Sequence, residues 1–339
     1  MKTLARLLCL AAAAALPAIA EEPVEKAPAP DYKITGPQAH KNLSVFLIHG
    51  KDRIQGKEFL TLQEALEQKL VVVHETGNVQ ELSAENLSKD KLVFIMAGDI
   101  VKGGQQDRTL QYDLVLAAQS GKVPLPSFCV EQGRWAQRGG EKAGQFSSSA
   151  NALATRELQL ANRYANDQGK VWAEVAKTQK ALSDQVGEKV GAEQSATSLQ
   201  LALENKKLKE AIAEYTTALA KLPEGSDDII GVAFAVNGKV STADVYAAGG
   251  LFRKLWPKLL EAAATEAVAG FKPEAKTEPV KAEAVSRFLA EAKQGKASEK
   301  KLSPAAKMIT RDSKDQVLFE TRDTSGEGMP AVRENYLAK

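Results

Sequence analysis

Between Gly98 and Trp135 the sequence crowds glycines, amides, two arginines, four carboxylates and a tryptophan among short apolar runs. The turn Gly103-Gly104-Gln105-Gln106-Asp107-Arg108 sits between two β-type runs. Consecutive glycines allow a nest of backbone N–H donors that can hold an anion, and Arg108 would clamp that anion through its planar fork. Phosphate, diphosphate or carboxylate would suit. The alternative is a tight turn in which Asp107 and Arg108 pair with each other or with the backbone. Downstream, Cys129 and Glu131 are two apart and so share a strand face, and Gly133 releases the chain into a turn presenting Arg134 and Trp135. Arginine beside tryptophan can stack as well as pair: a ring would lie on Trp135 with a phosphate on Arg134. The competing arrangement is a buried Glu131–Arg134 ion pair closing the fold under Trp135. Both arginines are expected at exposed strand ends.

Other chemistry is thin. There is no GxxxxGK[ST] loop, GxSxG elbow, HExxH or paired CxxC. His40, His49 and His74 are too separated to state a metal site, and the adjacent His74 and Glu75 point to opposite faces of a strand. Cys129 to Arg134 has the Cys-x4-Arg length of a persulfide-cradling sulfurtransferase loop. That loop should end a parallel strand, whereas the surroundings read antiparallel and Glu131 would repel the persulfide. Cys129 is therefore expected to be a buried small hydrophobe.

The Gly-Gln-Asp-Arg turn and the Cys129-Val130-Glu131-x-Gly133-Arg134-Trp135 ending resemble the ADP-ribosylglycohydrolase- and rhodanese-phosphatase-associated domain family, and the likeness extends from about Tyr32 to Val268. The resemblance implies genomic company with ADP-ribose enzymes but no assigned reaction. Its Asn-Gly turn and Trp-containing late helix also occur here, at Asn237-Gly238 and Trp256-Pro257. Gly103, Gly104, Gln105, Arg108, Glu131, Arg134 and Trp135 are thus the expected ligand-binding residues. No catalytic residue, cofactor or metal site is assigned.

The elements that must position these residues follow from patterning. Lys2 and Arg6, the apolar run Leu7–Leu16 and Ala18-Ile19-Ala20 read as a leader cleaved after residue 20, so the product is expected to be exported, periplasmic or extracellular. The run is shorter than the roughly 20 residues of a membrane span. Removing it takes away two basic residues, leaving 43 against 43 acidic ones, a balance that does not suggest nucleic acid. Cys129 alone then remains, so no intrachain disulfide is expected. Residues 21–31, alternating Pro, Ala and Glu, read as a disordered tether.

Residues 32–135 carry short β-type runs at Leu43–His49, Leu70–Thr76, Val79–Leu87, Leu92–Ala97, Gln111–Ala118 and Ser127–Glu131. One helix, Leu62–Gln68, interrupts them behind a Thr61/Glu64 capping box. Residues 146–222 are rich in helix formers. One stripe runs through Trp172, Val175, Leu182 and Val186, another through Leu201, Leu208, Ile212, Tyr215, Leu219 and Leu222. The stripes are too short for a coiled coil and predict packing within the chain. Residues 229–270 give a hairpin about Asn237-Gly238 and a helix Leu251–Val268 that starts or kinks at Pro257. Residues 271–339 read as linker and tail, with one short helix at Val280–Glu291 and one added strand. The expected fold is α+β: a mostly antiparallel β-rich sandwich or barrel core, a helical insertion packed on it and a C-terminal helix. Its expected role is binding a small molecule, a nucleotide or ADP-ribose-like compound. The alternative is a non-enzymatic envelope scaffold or interaction module.

Overall fold

The computed structural model describes residues 32–134, 146–274, 278–303, 306–324 and 330–339. The leader, the tether and Trp135 lie outside these described residues. In chain order come β1 (Lys33–His40), β2 (Leu43–His49), β3 (Phe59–Thr61), α1 (Leu62–Glu67), β4 (Val71–Glu75), β5 (Glu81–Asn86) and β6 (Leu92–Ile95). There follow β7 (Asp99–Gly103), β8 (Arg108–Leu110), β9 (Leu114–Leu116), β10 (Lys122–Cys129) and β11 (Phe146–Leu153). The insertion contains α2 (Arg156–Gln159), a π-helical turn (Leu160–Tyr164), α3 (Gln168–Val186), α4 (Leu199–Leu203) and α5 (Lys206–Leu219). The chain continues through β12 (Ile229–Val236), β13 (Lys239–Tyr246), α6 (Gly249–Ala269) and α7 (Ala282–Lys293). It closes with β14 (Lys296–Ser303), β15 (Ala306–Asp312), β16 (Gln316–Asp323) and β17 (Ala331–Ala338).

Local chemistry explains several of these boundaries. The Thr61 hydroxyl accepts from Glu64 N at 3.1 Å while Thr61 N donates to Glu64 Oε2 at 2.8 Å, the reciprocal box that starts α1. Asn237 and Gly238 both have positive φ, 51° and 75°, the backbone a two-residue hairpin needs between β12 and β13. The second apolar stripe is two helices rather than one: the Asn205 side chain accepts from Leu208 N at 3.1 Å and starts α5 afresh. α6 begins at Gly249 and runs through Pro257.

The largest sheet has eight antiparallel strands in the order β1-β2-β12-β13-β17-β16-β15-β14. α7 covers one face, where Val285, Phe288 and Leu289 join Phe46, Ile48, Val245 and Leu318. On the other face, α5 and α6 bring Ile212, Tyr215, Phe252 and Trp256 against Val45, Val232 and Phe234. A six-stranded sheet, β11-β7-β8-β10-β5-β4, and a three-stranded one, β3-β6-β9, form a second core around Leu62, Val73, Leu82, Ile95 and Leu110. The insertion docks on this unit through Leu158, Val171, Val175 and Leu199, which meet Ile100, Phe128 and Val130. Buried side chains of this kind contribute about 1.5–3 kcal/mol each. The stripe on α3 is centred on Val171 rather than the half-buried Trp172.

The fold is α+β and β-rich, as expected, with the helical insertion packed on the sheets. The reading of residues 271–339 as linker and tail needs correction. The expected short helix is there as α7, but four strands follow it rather than one, and β17 lies inside the large sheet between β13 and β16. Their charged residues hid them: Arg311, Glu320, Arg333 and Glu334 are buried strand residues. Residues 146–153, expected as the start of the helical region, form β11 paired with β7.

Candidate functional site

The glycine turn forms the β7–β8 connection, with Gly103 at φ 122° and Gly104 at φ 55°. Its amides already hold anions that belong to the protein itself. Gly103 N donates to Asp107 Oδ1 at 3.0 Å and Gln105 N to Glu75 Oε1 at 2.9 Å. A Cβ on Gly104 would stand 2.3 Å from Phe146 Cζ and 2.4 Å from Glu75 Oε1, so only glycine fits. Glu131, fully buried, accepts from Asp107 N at 3.2 Å and from Arg134 Nε at 2.7 Å. Burial would raise the Glu131 carboxyl, but hydrogen bonds from Arg134 and the Ser195 side chain outweigh it and hold the carboxyl below its ordinary value. Arg134 Nη1 donates to Gly104 O at 3.2 Å, and the Ser198 hydroxyl, which also starts α4, donates to Asp107 Oδ2 at 2.9 Å.

Five of the expected residues, Gly103, Gly104, Gln105, Glu131 and Arg134, therefore meet, but around Asp107 and Glu75 and beneath the insertion. Arg108 lies on the Glu75 side. It is 1% exposed, gives one hydrogen bond to Gln106 O at 2.9 Å and keeps its Nη2 4.0 Å from Glu75 Oε2. The expected exposure of the two arginines is not met: the Arg134 side chain is 10% exposed. Cys129 pairs across the ladder with Arg108, and burial raises its thiol above the ordinary value. Its strand is antiparallel to both neighbours, β5 and β8, which is not the setting of a persulfide loop. His74 and Glu75 face different partners, Glu85 and Gln105.

A second charged group lies between the sheets, unannounced by any motif. Arg333 joins Asp113 at 2.8 Å and Asp244 at 2.7 Å, and Arg163, from the π-helical turn, donates to Asn335 Oδ1 at 2.7 Å and stacks 4.1 Å over the Phe319 ring. Burial would raise Asp113, but Arg333, Arg163, the Ala97 N–H and the Thr321 hydroxyl hold it low. Burial lowers Arg163 to about 10 against the pull of Asp113. These residues lock the β17 face to the insertion and to the loop before β9.

The open feature is elsewhere. A cleft of about 450 Å³ runs between α2 and α3 of the insertion and the β12–β13 hairpin with the end of α6. Its volume is within the range of small-molecule sites, about 300–1,000 Å³. Glu266 from α6 sits in its wall, 17% exposed, accepting from the Ser241 hydroxyl of β13 at 2.6 Å. Burial raises the Glu266 carboxyl above its ordinary value, with Arg156 and Ser241 pulling the other way and Glu157 adding to the rise. Arg156 Nε approaches Glu266 Oε1 at 3.5 Å without a hydrogen bond. Beneath lies a space of about 20 Å³ whose mixed lining includes Leu259, Gln159 and Asp244, room for roughly one water. A neighbouring depression of about 310 Å³ shares Glu157 and Glu174 and reaches Tyr164 and Lys339. The three polar residues at the heart of the cleft are separated by tens of positions and belong to three elements, so no local pattern could have announced them. Among the described residues, no cluster of His, Cys, Asp and Glu is arranged to hold a metal ion, and no helix is long and apolar enough to cross a membrane.

No curated protein and no solved structure matches the chain. A family model does, over residues 31–325: the ARG and Rhodanese-Phosphatase-superfamily-associated Protein domain. The matched span takes in the glycine turn, the Glu131–Arg134 pair, the insertion and every residue lining the 450 Å³ cleft. On that coverage the chain belongs to the ARG and Rhodanese-Phosphatase-superfamily-associated family.

Proposed function

We propose that this is an exported protein that binds a small polar molecule, of nucleotide or ADP-ribose-like kind, in the cleft between the insertion and the β12–β13 hairpin. The observation that carries the reading is the junction of Arg156, Ser241 and Glu266 within a 450 Å³ cleft, where a carboxyl with a raised pKa faces a guanidinium Nε that has no hydrogen-bond partner. Thr155, Thr178 and Asn237 add groups suited to sugar hydroxyls. No aromatic ring is among the described residues that line the cleft, so recognition rests on phosphate and hydroxyl rather than on base stacking. Export is supported by the basic, apolar and Ala-x-Ala segments of residues 1–20.

The test is a thermal-shift screen of the purified protein against ADP-ribose, nucleotides, sugars and their phosphates. A stabilisation that grows with ligand concentration and is removed by Ser241→Val, in a variant that melts normally without ligand, is the expected result. A screen in which no compound shifts the melt removes the reading. The second reading, a non-enzymatic scaffold, is favoured by the state of the glycine turn, whose amides, like Arg134, are already taken up by the protein's own carboxylates.

A further inference from the structure

Building on the cleft as the ligand site, the electrostatics of Arg156 point to what the ligand carries. The Arg156 guanidinium is held from one side, where Nη1 donates to Ala338 O at 3.2 Å. That leaves the Nε–Nη2 edge, the pair of parallel donors that fits a carboxylate or phosphate. Two carboxylates approach this edge and neither takes both donors. Nη2 gives a hydrogen bond to Glu157 Oε1 at 2.5 Å, while Nε stands 3.5 Å from Glu266 Oε1 and makes no hydrogen bond although it is buried. Glu266 spends the same oxygen on Ser241. The Glu157 side chain is 40% exposed and can swing to water, whereas Glu266 is walled in at 17%.

The charges that face Glu266 come from every element around it: Arg156 and Glu157 from α2, Glu174 and Lys177 from α3, and Lys239 beside Ser241 on β13. Lys177 and Glu174 pair at 3.0 Å. Asp244, which lines the space beneath, is tied to Arg333 and Asn335. Three cations therefore balance three carboxylates along the wall, and neutralising Glu266 turns the cleft cationic.

We propose that the cleft binds an anionic group, the phosphate of a small phosphate ester or diphosphate, on the Nε–Nη2 edge of Arg156, and that Glu266 takes up a proton as the anion enters. An anion bidentate on that edge stands beside Glu266 Oε1, and two negative charges at such a distance repel strongly in a partly dry wall. Protonation removes the repulsion and turns Glu266 into a donor. Burial already makes that proton easier to gain than on an ordinary carboxyl. Binding is then coupled to acid, and affinity falls as pH rises.

Calorimetric titration with ADP-ribose, inorganic phosphate and ribose as separate probes, in mild acid and in mild alkali, each in two buffers of different ionisation heat, tests this. Expected is binding of a phosphate-bearing probe that is roughly tenfold or more tighter at the lower pH, with uptake of close to one proton. Glu266→Gln should bind at the higher pH as tightly as the wild type does at the lower one, without proton uptake. Arg156→Lys, which keeps the charge but loses the fork, should weaken binding by roughly tenfold, and melts confirm that both variants fold. Whether ADP-ribose or inorganic phosphate binds more tightly identifies an ester or the free ion as occupant, and either upholds the anion site. Binding of ADP-ribose, whose diphosphate does not titrate near neutrality, that is independent of pH, or proton uptake with it that survives in Glu266→Gln, overturns the proposal. Ribose bound with both phosphate probes refused overturns it while leaving the cleft a ligand site, and no binding of any probe removes both.

Discussion

Arg134 and Arg156 each sit between two carboxylates, yet one cluster is closed and the other is not. Arg134, Glu131 and Asp107 have side chains 10%, 0% and 0% exposed, and backbone amides, Ser195 and Ser198 occupy the oxygens that the guanidinium leaves. Arg156, Glu266 and Glu157 are 20%, 17% and 40% exposed on the wall of a cleft, and one guanidinium donor has nothing to give to. Each is built from one arginine and two carboxylates. What differs is access, since the Arg156 cluster lines a cleft while the Arg134 cluster is sealed beneath the insertion, and a recognition site needs groups that a ligand can reach.

Four substitutions break or sharpen that contrast. The largest effect should come from the deepest cluster, where Arg333→Met strands Asp113 and Asp244 between the sheets. Urea unfolding should show a loss of about 3–5 kcal/mol, and a near-neutral result would mean that water reaches the interior. Arg134→Ala leaves Glu131 buried opposite Asp107 and should cost about 2–3 kcal/mol near neutral pH. Because the folded Glu131 carboxyl lies below its ordinary value, the stability it contributes is present above the unfolded pKa and disappears as pH falls through the folded one. The gap between variant and wild type should therefore narrow in acid, and a constant gap would mean that Arg134 acts through packing.

Glu266→Gln carries the opposite sign. A raised folded pKa means that the carboxyl's contribution is complete below the unfolded pKa and is lost as pH rises through the folded one. The variant should thus be more stable than the wild type above neutrality, and should show no advantage in acid. Melting curves at a series of pH values would reveal it, and a variant that is less stable at every pH contradicts the raised carboxyl. The smallest change in stability belongs to Arg156→Ala, within about 1 kcal/mol for a partly exposed pair. If that substitution unfolds the protein as Arg134→Ala is expected to weaken it, the cleft is structural and the contrast collapses.

The elements readable in the sequence were those whose cause is local. The Thr61/Glu64 box, the Asn237-Gly238 turn and the apolar run of Leu43–His49 each depend on residues within a few positions, and each is where it was expected. Glu131 and Arg134, three apart, were readable as a pair, although whether they stayed open to a ligand depended on Ser195 and Ser198 arriving from the insertion. Of the strands β14–β17 only one was readable, because their charges mimic a solvated tail. Arg333 and Asp113, 220 positions apart, neutralise each other only once the sheets have met. The cleft was equally hidden, since Arg156, Ser241 and Glu266 gain meaning only where three elements converge.

The place of β17 also governs the order in which the molecule can be made. β2 and β12 can pair early with each other and with β13, but β13 reaches β16 only through β17, so the two halves of the eight-stranded sheet stay unjoined until residues 331–338 have been synthesised. Nearly all of the chain must therefore wait with unpaired strand edges and with Asp113 and Asp244 lacking Arg333. Such long-range closure is slow and exposes edges to aggregation. A holding chaperone that shields the unpaired edges until β17 has been made is expected to raise the yield of folded protein.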